Sequence, residues 1–341
     1  MPNTRIDIPD AHQRLSAYLQ QQLDGQPVTI IRSERLSGGA IQENWLLEAE
    51  VAGVPQRWVL RTDAASAVAA SMSRAQEFAV LSAAHQAGVK VPAPLWLCQQ
   101  PQVVGYDFFI MEALAGTANG RHLTGEQGSP EGNPVLCRQL GANLARLHQV
   151  RPPQQTLAFL PAPVADAAQA SIDDYRRFLD ALPDSHPTLE WGLRWCELNK
   201  PAPLPACLTH RDYRTGNYMV DAGTLTGVLD WEFAGWGDPR EDIGWFTARC
   251  WRFGQVHLEA GGIGLLQDFL DGYRSVSALE LSSQALRFWQ VMAHVRWAVI
   301  ALQQAQRHVS GQQRSLELAL TGRMVSELEQ EVLLLTRGGE A

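Results

Sequence analysis

Lysine is almost missing from this sequence, and the shortage bears on any chemistry that involves phosphate. Lys90 and Lys200 are the only lysines among 28 basic residues, and all the others are arginines. A bias of the genome towards arginine codons is the plain explanation of this ratio. The functional consequence is the same in either case, because an enzyme that contacts phosphate through a lysine has only these two positions to use.

Metal-ligand cysteine pairs, a secretory signal and long apolar runs are missing too. The five cysteines are scattered and contain no Cys-x-x-Cys pair, which argues against a zinc site and favours reduced thiols over a disulfide framework. Residues 1–10 lack the apolar segment of a signal peptide. No uncharged apolar run approaches the roughly 20 residues that span a membrane. These absences predict a soluble, cytoplasmic protein without a membrane partner.

The sequence is also short of positive charge. Its 28 basic residues stand against 36 acidic ones, which gives a net charge of −8. This balance argues against a nucleic-acid partner, since such partners are bound by basic surfaces, and it permits cationic ligands. The chain has 341 residues, of which 45% are hydrophobic, and this length suggests about two globular domains.

Short strands dominate the first third of the chain, and helices dominate the rest. Ser73 with Gln76 three residues later predicts a capping box at a helix start, and Asn133-Pro134 predicts another helix start. Spacing and glycine turns predict an antiparallel meander of strands over residues 28–36, 44–51 and 57–61, and two further strands are predicted over residues 91–97 and 106–111. Apolar periodicity predicts helices over residues 9–23, 165–182, 189–198, 288–302 and 316–335.

The strongest chemical signal is a loop motif followed by a hairpin. The motif is His-Arg-Asp-Tyr-Arg-Thr-Gly-Asn at residues 210–217, and Asp230 ends the second strand of the predicted hairpin. The order places Asp212 and Asn217 on a tight loop after a short strand. Carboxylate and amide oxygens suit Mg²⁺, whose remaining ligands are usually waters and substrate phosphates.

This motif resembles the catalytic loop of the aminoglycoside phosphotransferase family, which shares the protein-kinase-like fold with choline and fructosamine kinases. Val-Leu-Asp-Trp-Glu at 228–232 and Gly-Asp-Pro-x-x-Asp at 237–242 match the downstream block of that family. The resemblance covers nearly the whole chain and implies an α+β fold with two lobes. A small antiparallel N-lobe with one helix, at residues 1–112, would bind nucleotide. A larger, mainly helical C-lobe, at residues 113–341, would hold the catalytic and substrate-binding residues.

The resemblance also implies roles for the motif residues. Asp212 would orient the acceptor hydroxyl and take its proton, and His210 would support the loop through hydrogen bonds. Asn217 and Asp230 would hold Mg²⁺ on the phosphates of ATP. A carboxylate that only forms a turn or a helix cap is the plain alternative for Asp212. Asn217 and Asp230 both stand where the family motif has its metal ligands, and this match argues against the alternative. The aspartates at 238 and 242 are expected to brace the loop, as a turn and a cap.

The expected nucleotide contacts in the N-lobe match less closely. Ser37-Gly38-Gly39 occupies the place of the turn that covers the nucleotide, where glycine lets backbone N–H groups approach phosphate. A Gly-Gly pair is also ordinary in hairpins. The family has a lysine at the end of the third strand, and Arg61 stands there instead. Arg61 can pair with Glu77 and grip phosphate, or both side chains can simply be exposed to water.

The last predicted nucleotide contact lies on the strand that leaves the N-lobe. The resemblance makes residues 109–114 the connection between the lobes, so that backbone groups at Glu112 and Leu114 would pair with the edge of adenine. A buried strand leaving the sheet is compatible with the same pattern.

These residues together predict a phosphotransferase that uses ATP and Mg²⁺ to phosphorylate a hydroxyl of a small molecule. The acceptor is aminoglycoside-like, a sugar, an amino alcohol or another metabolite, and this choice stays open, as does the oligomeric state. A protein kinase is disfavoured, since only seven residues separate Asp230 from Asp238 and leave no room for a long activation loop. The alternative is a kinase-like nucleotide-binding or regulatory module with impaired catalysis, which Arg61 motivates.

Overall fold

The computed structural model describes residues 6, 9–36, 42–63, 72–126 and 131–337. The chain divides into two compact units. The first unit consists of Met1–Thr117, Pro153–Phe159 and Tyr218–Phe233, and the second consists of Ala118–Pro152, Leu160–Asn217 and Ala234–Ala341. A division after residue 112 into a nucleotide lobe and a catalytic lobe stays a prediction.

A five-stranded antiparallel sheet is the centre of the first unit. Its elements are α1 (Pro9–Gln22), β1 (Val28–Arg35), β2 (Gln42–Val51), β3 (Val54–Asp63), α2 (Arg74–Gln86), β4 (Pro94–Cys98), α3 (Pro101–Val104) and β5 (Phe108–Glu112). The strands lie in the order β1-β2-β3-β5-β4. The antiparallel meander predicted from the sequence is confirmed, and β3 lies in the middle of the sheet.

The two faces of β3 explain where its last side chains point. Successive side chains of a strand alternate between the faces of the sheet. Leu60 therefore enters the apolar core, where it lies with Leu19 of α1. Arg61 points to the opposite face, towards α2. The capping box predicted at the start of α2 is present, with reciprocal hydrogen bonds between Ser73 and Gln76.

The remainder of the chain is mostly helical. Its elements are α4 (Pro134–Leu147), α5 (Ala167–Asp180), α6 (Pro187–Asn199), β6 (Cys207–Thr209), β7 (Tyr218–Asp221), β8 (Thr224–Val228), β9 (Gly235–Gly237), α7 (Pro239–Thr247), α8 (Leu266–Arg274), α9 (Ser283–Val309), α10 (Leu316–Gly322) and α11 (Val325–Thr336). The apolar core of the second unit is built mainly from α5, α6, α9 and α11. Among the helices described, none combines the length and apolar character needed to cross a membrane.

The hairpin β7–β8 forms as predicted and belongs to the first unit. Tyr218 pairs with Val228 in its register. Thr117 forms an isolated bridge with Val220, which joins the hairpin to the chain that follows β5. Gly116 has a φ of +101°, and a Cβ there would lie 2.1 Å from the Val220 carbonyl oxygen. Glycine is therefore required for this close approach.

The structure differs from the sequence prediction at several elements, among them a strand and the last predicted helix. The strand β9 was not predicted, and it pairs antiparallel with β6 across the 25 intervening residues 210–234. The single helix predicted over residues 316–335 is wrong, because α10 ends at Gly322 and α11 begins at Val325. Gly322 packs so closely on Ala305 of α9 that a Cβ there would lie 2.6 Å from the Ala305 Cβ. Because the apolar periodicity continues through this break, the sequence pattern predicts one helix instead of two.

Two glycines allow α4 and α8 to pack closely. A Cβ at Gly141 would lie 2.0 Å from the Phe269 carbonyl oxygen, and a Cβ at Gly272 would lie 2.1 Å from the Arg138 carbonyl oxygen. We expect Gly141→Ala and Gly272→Ala each to lower the free energy of unfolding by about 1–3 kcal/mol, because the backbones must separate. Urea denaturation measures this change.

Gly125→Ala is the matched control for the two interhelical substitutions. Among the residues that the structure describes, no heavy atom lies within 4 Å of a Cβ at this position. Its free energy of unfolding should stay within about 0.5 kcal/mol of the wild type. If the substitutions at 141 and 272 behaved like this control, the close packing of α4 on α8 would be contradicted.

Candidate active site

A buried carboxylate shapes the loop that follows β6. Asp242 of α7 is fully buried and accepts hydrogen bonds from the backbone N–H groups of His210 and Arg211, both at 2.7 Å. Arg211 has a φ of +63°, a left-handed conformation that turns successive N–H groups towards one anion. Asp238 caps the start of α7 by accepting from the Arg240 N–H at 2.9 Å. Asp242 therefore braces the loop directly, and Asp238 is a cap, that of α7.

A histidine of α4 completes the surroundings of Asp242. His148 Nε2 lies 3.1 Å from Asp242 Oδ2, and His148 Nδ1 lies 2.8 Å from the Tyr273 hydroxyl. With its proton on Nε2, His148 donates to the carboxylate and accepts from Tyr273. Burial by itself would raise the pKa of Asp242, but the hydrogen bonds from His148 and the His210 backbone outweigh it. The pKa of Asp242 consequently lies below its ordinary value.

We expect Asp242→Asn to lower the free energy of unfolding by about 1.5–3 kcal/mol at neutral pH, the range for hydrogen bonds to a charged group. The folded pKa of Asp242 is depressed, so its contribution is complete above the unfolded pKa of about 3.9. The contribution is lost as the pH falls through the folded value. Urea unfolding at a series of acidic pH values should show that the free energy of unfolding falls less in the variant than in the wild type as the pH is lowered. Equal acid sensitivity in both proteins would contradict this role.

Three side chains converge on the carboxylate of Asp212. Trp245 Nε1 donates to Oδ1 at 3.0 Å, Arg214 Nε donates to the same oxygen at 3.1 Å, and Asn217 Nδ2 donates to Oδ2. The backbone N–H of Asp212 donates to His210 Nδ1 at 3.2 Å. The side chain of Asp212 is 15% exposed. The carboxylate is thus fixed in one orientation and still reachable, which is what a positioned base requires.

Asn217 presents one end of its amide to Asp212. Its Nδ2 donates both to the carboxylate and to the backbone carbonyl of Asp212, the latter at 3.0 Å. Since the amide hydrogens are engaged there, Oδ1 is the end that can accept or bind a cation. Gly216, with a φ of +107°, makes the turn that directs Asn217 back to Asp212.

In the first unit, Arg61 lies within a group of buried charges. Its Nε is 2.9 Å from Glu77 Oε1, and its Nη1 is 3.1 Å from Asp230 Oδ1. Arg61 and Glu77 are 5% and 2% exposed, so the water-exposed alternative for both is wrong. Burial by itself would lower the pKa of Arg61, but Glu77 and Asp230 raise it above its ordinary value. The guanidinium therefore stays charged.

Asp230 follows β8 in a left-handed conformation with a φ of +60°. Its side chain is 40% exposed although one oxygen faces Arg61. An aspartate tolerates this conformation better than most residues do, and strain of this kind concentrates at functional sites. Two residues later, burial raises the pKa of Glu232 to about 7. A carboxylate pair therefore follows the hairpin, and the more exposed member is Asp230.

The sequence analysis did not identify Arg74, which lies beside Glu77. Arg74 pairs through Nη1 with Glu77 Oε2 and through Nε with Asp63 Oδ1, the latter at 2.9 Å. Its side chain is buried. Glu77 is thus held between two arginines, Arg61 and Arg74. The position of Arg74, directly after the capping residue Ser73, was the available signal, because it shares a helix face with Glu77 three residues later.

The other predicted nucleotide contacts fall into two groups. Ser37, Gly38 and Gly39 lie outside the described residues. Glu112 ends β5, and its N–H donates to the Ala93 carbonyl at 3.0 Å, which leaves only its carbonyl for a base edge. Leu114 follows β5 and packs over β8, where a Cβ at Gly227 would lie 2.4 Å from Leu114 Cδ1.

Each of the two predicted magnesium ligands, taken by itself, carries an oxygen donor that suits this ion. Among the described residues, no group of three or more His, Cys, Asp or Glu side chains is arranged to hold a metal by itself. A magnesium ion that takes its other ligands from water and phosphate needs no such group. Asp230 offers a partly exposed carboxylate and Asn217 an amide oxygen, and both are hard oxygen donors of the kind that Mg²⁺ prefers.

Solved structures with the same fold include known phosphotransferases. A Ralstonia eutropha protein provisionally named an aminoglycoside phosphotransferase superposes with a TM-score of 0.74 at 21% identity, over 96% of this chain and 99% of that one. Spectinomycin phosphotransferase in complex with ADP and spectinomycin superposes with a TM-score of 0.63 at 12% identity, over 95% and 98% of the chains. These likenesses confirm the predicted α+β, protein-kinase-like fold.

A sequence relative and a family model complete the comparison. Acyl-CoA dehydrogenase family member 11 of Rattus norvegicus is 23% identical over 352 aligned residues, which cover 99% of this chain and 44% of that protein. The chain therefore spans less than half the length of this relative. The model of the phosphotransferase enzyme family matches residues 33–279. Since this match covers well over half of the chain and includes the loop at Asp212, the protein belongs to the phosphotransferase enzyme family.

Proposed function

We propose that the protein uses ATP and Mg²⁺ to phosphorylate a hydroxyl group of a small molecule. The observation that carries this proposal is the arrangement at Asp212, whose carboxylate is held by Trp245, Arg214 and Asn217 on a loop that Asp242 braces. Membership of a phosphotransferase family supports the reaction type. The ADP present in the similar spectinomycin phosphotransferase supports ATP as the donor.

Asp212 is the proposed base. It orients the acceptor hydroxyl and takes its proton as the acceptor oxygen bonds to phosphorus, while the bond between that phosphorus and the ADP oxygen breaks. His210 is a positioning residue, since it accepts the Asp212 N–H and supports the loop. Trp245 and Arg214 both donate to Oδ1 of Asp212. The other carboxylate oxygen, Oδ2, lies next to Asn217, a proposed magnesium ligand.

The nucleotide is held by residues that carry charge or expose backbone groups. Bound MgATP supplies the phosphoryl group, with Asn217 and Asp230 as the proposed magnesium ligands. Arg61, fixed by Glu77, is the proposed contact for the phosphates. The remaining proposed contacts are backbone groups of Ser37, Gly38, Gly39, Glu112 and Leu114.

A screen of acceptors tests this function directly. The protein is incubated with MgATP and a panel of sugars, amino alcohols, hydroxy acids and hydroxylated antibiotics, and ADP release is followed. We expect at least one class to raise ADP release well above the rate without acceptor. A panel without any stimulation, in a protein that binds MgATP, would contradict the proposal.

A nucleotide-binding module without catalysis is the second candidate, and one contact favours it. Asp230, a proposed magnesium ligand, is in an ion pair with Arg61 at 3.1 Å, which competes with a metal for the same oxygen. Calorimetry with ATP separates the candidates. An enzyme of the proposed kind binds ATP more tightly with Mg²⁺ than without it, and the module would bind ATP equally in both conditions.

A further inference from the structure

One wall of a small pocket in the second unit is Trp245, whose indole N–H donates to Asp212. The pocket therefore begins at the far side of a residue that touches the proposed base. Three helices line it, and the lining residues are Ser171 and Tyr175 of α5, Glu241 and Trp245 of α7, and Trp289, Met292, Ala293 and Arg296 of α9. Its size suits one chemical group of a ligand better than an oligosaccharide.

Buried N–H groups without partners occur in and beside this pocket. Trp289 Nε1, Arg296 Nη1 and Arg211 Nε have no hydrogen-bond partner among the described residues. Trp289 is only 2% exposed, so bulk solvent does not supply the missing acceptor. Unpaired buried donors are costly and rare in native proteins. Arg211 and Arg296 each have a long ion pair with Glu241, so the indole N–H of Trp289 is the donor here that most clearly calls for a hydrogen-bond acceptor from a ligand.

The charges around the pocket favour an anion. Glu241 is the only carboxylate among the lining residues, and it is shared by two arginines, at 4.0 Å from Arg211 Nε and 3.7 Å from Arg296 Nη1. Both separations exceed a hydrogen bond. Asp212 has an arginine of its own, Arg214. Two arginines thus stand against one glutamate in and beside the pocket, in a chain whose net charge is −8, and this local balance favours a carboxylate over an ammonium group.

Arg296 is already oriented for a planar anion. Its guanidinium lies over the Trp245 ring at 4.5 Å from the ring centroid, and the side chain is 15% exposed. Stacking on an indole fixes the plane of a guanidinium and leaves its edge N–H groups available. A guanidinium edge binds a carboxylate through two parallel hydrogen bonds.

We propose that this pocket binds a carboxylate of the acceptor, which makes the substrate class short hydroxy acids. The inference rests on the proposed function and specifies its acceptor. Arg296 pairs with the acid group, and Trp289 Nε1 donates to it. Trp245 lines the pocket and also donates to Asp212, so the carboxylate and the hydroxyl that is phosphorylated belong to one short molecule.

Binding of matched ligands tests the pocket without relying on turnover. Calorimetry compares hydroxy acids with diols and amino alcohols of the same length, with a non-hydrolysable ATP analogue present. We expect the acids to bind at least tenfold more tightly than their counterparts. Arg296→Gln should lower the affinity for acids at least tenfold and leave the affinity for the ATP analogue unchanged. Equal binding of acids and amino alcohols would overturn the inference.

Arg287→Gln is the matched control, since Arg287 is on the same helix and lies over an indole, that of Trp195, outside the pocket. It should bind acids as the wild type does. If Arg296→Gln has a lowered melting temperature, Trp289→Phe replaces it, because this change removes one N–H and keeps a buried ring. A several-fold loss of acid affinity is expected, and an unchanged affinity would overturn the role of Trp289.

Phosphoryl transfer with the same compounds separates the inference from the function on which it rests. Transfer to hydroxy acids that Arg296→Gln abolishes supports both. Transfer to diols or amino alcohols at the wild-type rate in Arg296→Gln overturns the inference and leaves the function standing. Acid binding that depends on Arg296, without transfer to any compound, supports the pocket and contradicts the proposed function.

Discussion

Asp212→Asn is expected to lower the rate of phosphoryl transfer by about 10³-fold, within the range for loss of a general base. The amide has nearly the same shape as the carboxylate but cannot take the proton of the acceptor. Trp245 and Arg214 can still donate to the oxygen of the new side chain, which keeps most of the loop in place, while the new NH₂ group removes the acceptor of Asn217 Nδ2. The affinity for MgATP, measured by calorimetry, should change less than threefold.

Asp221→Asn is the control for this substitution, because Asp221 is an exposed aspartate at the end of β7. It should transfer phosphate at the wild-type rate. A wild-type rate in Asp212→Asn would remove Asp212 from the mechanism. A parallel loss of MgATP binding would instead show that Asp212 acts in nucleotide binding.

Arg61→Ala is expected to weaken ATP binding at least tenfold and to lower the free energy of unfolding by about 3–5 kcal/mol, because Glu77 loses a partner in a buried ion pair. Arg61→Lys should have a smaller effect on both. A lysine keeps the charge but reaches one carboxylate, whereas Arg61 contacts Glu77 and Asp230 through different nitrogens. Calorimetry with ATP and urea denaturation measure the two quantities.

Arg57→Ala serves as the control, since Arg57 is exposed on the same strand, β3. Neither the free energy of ATP binding nor the free energy of unfolding should change by more than about 0.5 kcal/mol. Unchanged ATP affinity in Arg61→Ala, together with reduced stability, would restrict Arg61 to a structural role and remove it from the nucleotide contacts.

The features that sequence predicted well are those encoded by neighbouring residues. The capping box at Ser73, the cap at Asn133 and the hairpin β7–β8 each depend on side chains within a few positions of one another. The motif that placed Asp212 and Asn217 together is local as well, because both lie on one turn of chain. Tertiary context reinforces such signals but does not create them.

The features that sequence did not predict depend on contacts between distant segments. Trp245 reaches Asp212 from 33 positions away, and no local pattern marks its indole as a donor. His148 reaches Asp242 from 94 positions away. The unpaired N–H of Trp289 is visible only once α9 packs against α7. For the same reason, the net charge of −8 gave no indication of the local excess of arginine near the pocket.

The scarcity of lysine also has a structural counterpart. Where the family has a lysine at the end of the third strand, Arg61 is buried and forms two ion pairs. Lys90 is occupied elsewhere, since its Nζ donates to the Leu225 carbonyl at 3.1 Å. Lys200 pairs with Asp166 at 2.6 Å in the second unit. Arginine is therefore the basic side chain that the proposed phosphate contact uses.

The stoichiometry of the reaction tests the central claim most directly. Phosphorus NMR follows MgATP with an acceptor that stimulates ADP release, in the wild type and in Asp212→Asn. The account predicts that a phosphate monoester and ADP appear in equal amounts with the wild type, and that both nearly vanish in the variant. Release of ADP with free phosphate and no monoester, or an equal yield of monoester in Asp212→Asn, would contradict it.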